Sequence, residues 1–306
     1  MVTALALWLG FVLDLRFAEP KRWHPLVGFG ACASALERWL NRRRSLTLRG
    51  LIAVTILLLP ITLAAAALWW WLLLQFPWLA VAVGGVGVYF ALGAQSLAQH
   101  IAPVIAALNS NDLPRARAAL QKIVSRNCDQ LTAPEIARAA LESLLENTSD
   151  AIIAPLFWFA LAGLPGVLLH RFANTLDAMW GYRTHRFAAF GWAAARLDDG
   201  LNYIPARLCA LAFAACGDGA NAVNTWRKYA RAWDSPNAGP VITAGAGALG
   251  VSVGGGGYYH GRWQQKPTLP GAEPNARDLE RALGLAKRAS ILSLVVLSVL
   301  SAGVWR

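Results

Sequence analysis

The sequence predicts an all-α, polytopic integral membrane protein with about four to six membrane helices. Of 306 residues, 56% are hydrophobic and only 15% are charged, whereas a soluble domain carries about a quarter charged residues and just under half apolar ones. Mean hydropathy is +0.41. The apolar excess sits in long runs, and many of the 14 Trp residues stand at run ends, where an amphipathic ring suits the headgroup layer. Trp69, Trp70, Trp71 and Trp78 flank the turn between two runs, and Trp305 closes the last one.

Spanning the hydrocarbon takes about 20 apolar residues in a helix. Residues 51–74 and 78–98 meet this, joined by a turn at Gln75-Phe76-Pro77. Residues 1–15 are shorter. Their start (Val2 to Leu13) has the length of a signal peptide but lacks a basic leader and a small-residue cleavage site, so it reads as a retained first helix. Residues 290–305 close the chain and can extend back over 286–289. Residues 151–169 are long enough to span, but Gly163-Leu164-Pro165-Gly166 interrupts them, and the chain can fold back there as a re-entrant helical hairpin. Residues 201–216 are marginal, with Pro205 and Arg207 inside.

The polar segments between carry helical grammar. Asp112 caps a helix with Pro114 in its first turn, running to about Val124. Thr132-Ala133-Pro134-Glu135 is a capping box that opens a helix toward Asn147. Residues 217–288 are Gly- and Pro-rich and read as loop. The expected organisation is a single membrane-embedded domain. It has N-terminal membrane helices (1–98), a polar helical segment (99–150), a motif-rich membrane or re-entrant core (151–216), a Gly/Pro-rich loop (217–289) and a C-terminal membrane helix (290–306).

The net charge of +11 does not point to nucleic acid. Basic residues cluster beside apolar runs, as at Arg42-Arg43-Arg44 and Lys287-Arg288, which is the positive-inside pattern of a multi-pass protein in the cytoplasmic membrane. Cys32, Cys128, Cys209 and Cys216 have neither CxxC spacing nor a His partner, so no disulfide framework or zinc site is expected. His100, His170, His185 and His260 share no metal-ligand spacing.

Three constellations can carry chemistry. Glu142, Glu146 and Asp150 recur at four-residue spacing and share one face of a continuous helix, where like charges repel. A divalent cation would offset that repulsion, and Mg2+ suits a site that adds phosphate oxygens to few carboxylates. The alternative is a solvated face relieved by Arg138. Downstream, Asp177, Tyr182-Arg183, Arg196, Asp198, Asp199, Asn202 and Arg207 crowd polar groups beside membrane-depth sequence, which marks an interior site unless the arginines only anchor at headgroups. Near the start, Asp14, Glu19 and His24 lie beside a membrane helix, where a lone His commonly caps or sits at the interface. Asn147-Thr148-Ser149-Asp150-Ala151 is echoed by Asn174-Thr175-Leu176-Asp177-Ala178 across the broken run, so a hairpin would return both copies to one membrane face. No GxxxxGK[ST], GxSxG or HExxH is present, and the glycine run 254–257 is a weak phosphate signal.

Together these segments resemble the adenosylcobinamide-phosphate synthase family of cobalamin biosynthesis. The likeness covers most of the chain. It is densest in ESLLENTSD (142–150), APLF (154–157), NTLDAMWGYR (174–183), FGWAAARLDD (190–199) and NYIPAR (202–207), and continues in SPNAG (235–239) and AGALGV (246–251). One departure is Ala18-Glu19-Pro20, where the family usually has Gly-Asp-Pro; any role of that loop needing positive φ loses its glycine.

The resemblance implies a ligase that joins adenosylcobyric acid to aminopropanol, as its O-phosphate, with ATP as co-substrate and Mg2+ as cofactor. Its partners would be those substrates, the lipid bilayer and other corrinoid-assembly membrane enzymes. On that reading His24, Glu146, Asp150, Asp177 and Asp198 are catalytic. Asn147, Asn174, Arg183, Arg196, Asn202, Arg207 and Asn237 bind substrate or phosphate, and Glu142, Glu146, Asp150 and Asp199 hold metal. Two other classes compete. A non-enzymatic regulator on the same scaffold would be expected to lose the acidic and amide motifs, which are intact here. A corrinoid transporter is suggested by polar motifs around a broken helix.

Overall fold

A computed structural model describes residues 1–20, 24–42, 46–182, 184–259 and 262–304. Among them the chain forms twelve α-helices: α1 (Val2–Phe17), α2 (Pro25–Leu40), α3 (Leu46–Gln75), α4 (Pro77–Ala91), α5 (Ala94–Asn109), α6 (Leu113–Leu120), α7 (Ala133–Thr148), α8 (Ala154–Trp180), α9 (Trp192–Cys216), α10 (Gly219–Tyr229), α11 (Ala238–Leu249) and α12 (Ala276–Val304). A short antiparallel ribbon pairs β1 (Gly257–Tyr259) with β2 (Arg262–Gln264). Arg43, Arg44, Arg183, His260 and Trp305 lie outside the described residues.

Four helical stretches are long and apolar enough to cross a membrane: Leu46–Gln75, Pro77–Asn109, Ala133–Trp180 and Ala276–Ala302. This is the expected polytopic all-α class. The turn expected at Gln75-Phe76-Pro77 separates α3 from α4, with Pro77 at the first helical position, where its missing N–H costs nothing. The next stretch is not continuous to residue 98: Leu92 is extended (φ −85°, ψ 156°) between α4 and α5.

The chain clusters into two compact units. The first comprises residues 1–93, 154–202 and 294–306. Within it α1 crosses α4 closely through small residues. A Cβ on Gly10 would stand 2.5 Å from Val88 and 2.7 Å from the Gly85 carbonyl, so glycine sets the approach, as at membrane helix crossings generally. α8 packs on α3 and α4 and is broken where its sequence predicts. Gly163 has φ 67° and ψ −149°, under the buried indole of Trp69. A Cβ on Gly166 would lie 2.5 Å from the Trp158 carbonyl. Residues eight apart in a straight helix are separated by about 12 Å, so the chain turns sharply back here.

The second unit comprises residues 94–153 and 203–293. Asp112 caps α6 by accepting from the Arg115 amide at 3.0 Å, and the helix ends at Leu120, four residues before the expected Val124. The capping box holds α7, with the Glu135 carboxylate accepting from the Thr132 amide at 2.8 Å. The expected loop at 217–288 is largely ordered structure instead. Asp218 caps α10, and every residue of α11 is buried. The glycines that suggest loop permit close packing: a Cβ on Gly245 would meet Leu145 of α7 at 2.5 Å, and one on Gly247 would meet Ala222 of α10 at 2.9 Å.

Candidate functional site

In the second unit, α7 presents the acidic motif. Glu142 is only 4% exposed, and a bare carboxylate there would be costly. Arg126 donates to one oxygen at 2.5 Å, the Gly254 amide donates to the other at 2.8 Å, and the Lys266 ammonium stands at 3.9 Å. Two cations and a backbone donor thus offset the repulsion that suggested a metal. Glu142, Ser143, Glu146 and Asn147 line a cavity of about 190 Å³ with Arg126 and Lys266. Asn147 turns its amide onto the Ser143 carbonyl at 2.9 Å.

Asp150 does not complete the stripe. Residues Ser149–Ile153 form a π turn, whose i→i+5 pattern breaks the four-residue register, and Asp150 is not on that cavity wall. Asp199 belongs to the other unit and pairs with Arg196 at 2.8 Å. Among the described residues no group of three or more His, Cys, Asp or Glu is placed to hold a metal ion. Glu142, Glu146, Asp150 and Asp199 therefore do not fit a metal centre built from protein ligands alone. Glu142 serves a cation pair, and Arg196 an ion pair with Asp199.

The first unit gathers a different set. His170 and Asn174 stand one turn apart on α8, facing Asp198 and Asn202, one turn apart on α9. The His170 Nε2 and Asn202 Oδ1 are 2.9 Å apart, the Asn202 amide donates to Asp198 at 3.0 Å, and Asn174 donates to the other Asp198 oxygen at 3.3 Å. With its amide turned to Asp198, Asn202 accepts from His170, which fixes Nε2 as the protonated nitrogen. His170, Asn202 and Asp198 are all buried. Asp177 sits at the end of α8, where its carbonyl accepts from the Gly181 amide at 2.6 Å and its carboxylate crowds the space a Gly181 Cβ would need.

The N-terminal loop of the same unit holds His24 at the N-cap of α2. Its Nδ1 accepts from the Leu26 amide at 3.2 Å. Burial lowers its pKa, Glu19 partly restores it and Arg171 lowers it further, so the ring is neutral at pH 7 with its proton on Nε2. His24 is thus a capping acceptor, with its Nδ1 lone pair engaged by the Leu26 amide. Glu19 lies 3.7 Å from Arg171. Ala18, in the position of the missing glycine, still takes positive φ (φ 56°, ψ −171°), and its carbonyl accepts from the Tyr89 hydroxyl at 2.8 Å.

A larger cavity of about 770 Å³ lies in the second unit, walled by Tyr203, Arg207, Trp226, Arg227, Arg231 and Trp233. Arg207 lies 3.6 Å over the Tyr203 ring and donates to Asn237 at 3.0 Å and to the Pro236 carbonyl at 3.0 Å. The expected pair Arg207 and Asn237 is therefore joined, with Arg207 pinning the SPNAG turn. The sequence reading missed Arg126, His170, Arg227 and Arg231. Only the last two carry a local signal, a four-residue repeat of Trp-Arg and Ala-Arg at 226–227 and 230–231.

The family model described as CobD/Cbib protein matches residues 7–286. The chain is 48% identical over 301 residues to the cobalamin biosynthesis protein CobD of Chromobacterium violaceum, covering 94% of this chain and 93% of that one. It is 50% identical over 284 residues to the CobD of Stutzerimonas stutzeri, covering 90% of each chain. The CobD of Mycobacterium tuberculosis is 41% identical over 290 residues, 93% of this chain and 91% of that one. No solved structure matches. With the motif residues and nearly the whole length of both chains inside these matches, the chain belongs to the CobD/Cbib protein family.

Proposed function

We propose that this protein is a membrane enzyme of cobalamin biosynthesis that forms an amide between a corrinoid carboxylate, that of adenosylcobyric acid, and the amine of aminopropanol O-phosphate, driven by ATP. The observation that carries the reading is the cavity on α7, where Glu142, Glu146, Arg126 and Lys266 meet within a motif the resemblance assigns to the reaction. A carboxylate is a poor acyl donor. Its oxygen attacks the γ-phosphorus of ATP, ADP leaves, and an acyl phosphate results. The amine then attacks the acyl carbon, the amide forms, and phosphate departs with the acyl oxygen. Phosphoryl transfer of this kind asks for positioning and cationic charge more than for covalent help.

Arg126 and Lys266 carry that charge beside the cavity. The ammonium must lose a proton before it attacks, and Glu146 on the same wall accepts it in this scheme. Were Mg2+ to arrive with the nucleotide, it would supply charge neutralisation at the phosphates, and Glu146 is the carboxylate of this wall that could reach it. The test is direct. Purified protein in lipid or detergent, given cobyric acid, aminopropanol phosphate and Mg-ATP, forms a product with the amide mass. Absence of that mass with both the phosphorylated and the free amine rejects the synthase reading.

A further inference from the structure

Beside the acidic cavity, the second unit holds a cavity of about 390 Å³ that the scheme above does not use. Its floor is the run Gly254, Gly255, Gly256 and Gly257, and its walls include Arg126, Asn127, Gln130 and Arg138. Three successive glycines take positive φ, at 92°, 87° and 100°. Side chains rarely adopt that conformation, so the run is built to present bare backbone. At Gly254 a Cβ would strike the Pro267 carbonyl, and at Gly255 it would stand 3.2 Å from the Arg138 guanidinium. Glycine at 255 keeps that guanidinium uncovered.

Arg138 is the second half of the site. Its Nε is buried with no hydrogen-bond partner, and its ion-pair partner Glu273 is 67% exposed and 3.9 Å away, beyond hydrogen-bond reach. A guanidinium with an unsatisfied donor beside bare backbone is the chemistry of an oxyanion site, because Arg offers donors in a fixed fork that matches phosphate. Glu135, also on the wall, is already engaged by the Thr132 amide and hydroxyl. Among the described lining residues there is no aromatic ring on which a nucleobase could stack. The volume exceeds what inorganic phosphate fills and falls at the small end of ligand sites, about 300–1,000 Å³. Arg126 lines both cavities, and Glu146 on the wall of the adjoining one supplies an anion toward which an ammonium tethered to the phosphate can reach.

We propose that residues 254–257 with Arg138 and Arg126 form a binding site for the phosphate of a small aliphatic amino phosphomonoester. The proposal rests on the synthase reading for the identity of its natural ligand. The test uses the full chain in detergent and O-phosphoethanolamine as probe, with ethanolamine, inorganic phosphate and Mg-ATP as parallel arms, by calorimetry. The expected order is binding of O-phosphoethanolamine, weaker binding of phosphate and none of ethanolamine, with Mg-ATP failing to displace the probe. Arg138→Ala weakens the probe about tenfold or more, Gly255→Ala also weakens it, and Arg227→Ala leaves it unchanged.

The unaltered protein gives an independent reading: the probe protects Arg138 from phenylglyoxal, read on the peptide by mass spectrometry. That footprint decides the matter if the variants do not fold. Displacement by Mg-ATP assigns the site to the nucleotide tail and overturns the proposal, as does wild-type affinity in Arg138→Ala or an unprotected Arg138. Protection without amide synthesis rejects the proposed reaction and keeps the site. Synthesis without protection rejects the site alone.

Discussion

The two polar regions of this protein are built on opposite plans. On α8 and α9, His170, Asn174, Asp198 and Asn202 bond to one another and are largely sealed from solvent. Around α7, Glu142 is held by Arg126, Lys266 and a backbone amide, while Glu146 and the glycine run line cavities. Buried mutual hydrogen bonds of the first kind fix helices relative to each other, although the His170 Nδ1 has no partner. Charged side chains on a cavity wall can meet a ligand. The resemblance assigns catalytic or substrate roles to residues of both regions; under the proposed function, α8 and α9 position and α7 carries the reaction.

Breaking the pairs gives the largest effects. Glu142→Ala removes the carboxylate on which Arg126 and the Gly254 amide converge, and is expected to destabilise by about 3–5 kcal/mol. Thermal unfolding in detergent checks it, and an unchanged melting temperature would show that the pair is dispensable. Asn202→Ala strips partners from His170 and Asp198 and should cost about 1–3 kcal/mol. It lowers the melting temperature, and KM for the corrinoid, the amine and ATP stays near wild type if the network only positions; a selective rise in KM with unchanged stability would move it into the binding site.

Ala18→Gly works in the other direction. The residue lies in a conformation almost confined to glycine, so relief of strain, less the entropy glycine loses, should stabilise by up to about 1 kcal/mol. A lower melting temperature would contradict this. His24 gives the smallest effect. Its folded-state pKa lies below 6.5, so the unfolded chain binds the proton more readily. Its contribution is complete above pH 6.5 and declines as pH falls through the folded pKa. His24→Asn, which keeps a capping side chain, should flatten the dependence of melting temperature on pH below 6.5.

What was legible in the sequence is what short range determines. The Thr132 capping box, the Asp112 cap, the turn before Pro77 and the break at Gly163 each depend on a few neighbouring residues, and each stands where the sequence puts it. The π turn at Ser149–Ile153 has no such signature, so the face shared by Glu142, Glu146 and Asp150 was extended one residue too far. Arg126 and His170 find partners 16 and 32 residues away, and no periodicity announces them. α11 lies in a stretch that reads as loop because it is rich in glycine and proline, yet its glycines are what allow it to be buried on all sides.

The division of labour is tested most directly by Glu146→Gln, assayed for amide synthesis and for thermal unfolding on the same preparation. The change removes one charge from the cavity wall and no ion pair of Glu142. Loss of turnover is expected, with stability within about 0.5 kcal/mol of wild type. Wild-type turnover in that variant would contradict the proposed role and leave Glu146 a non-catalytic residue of the cavity wall.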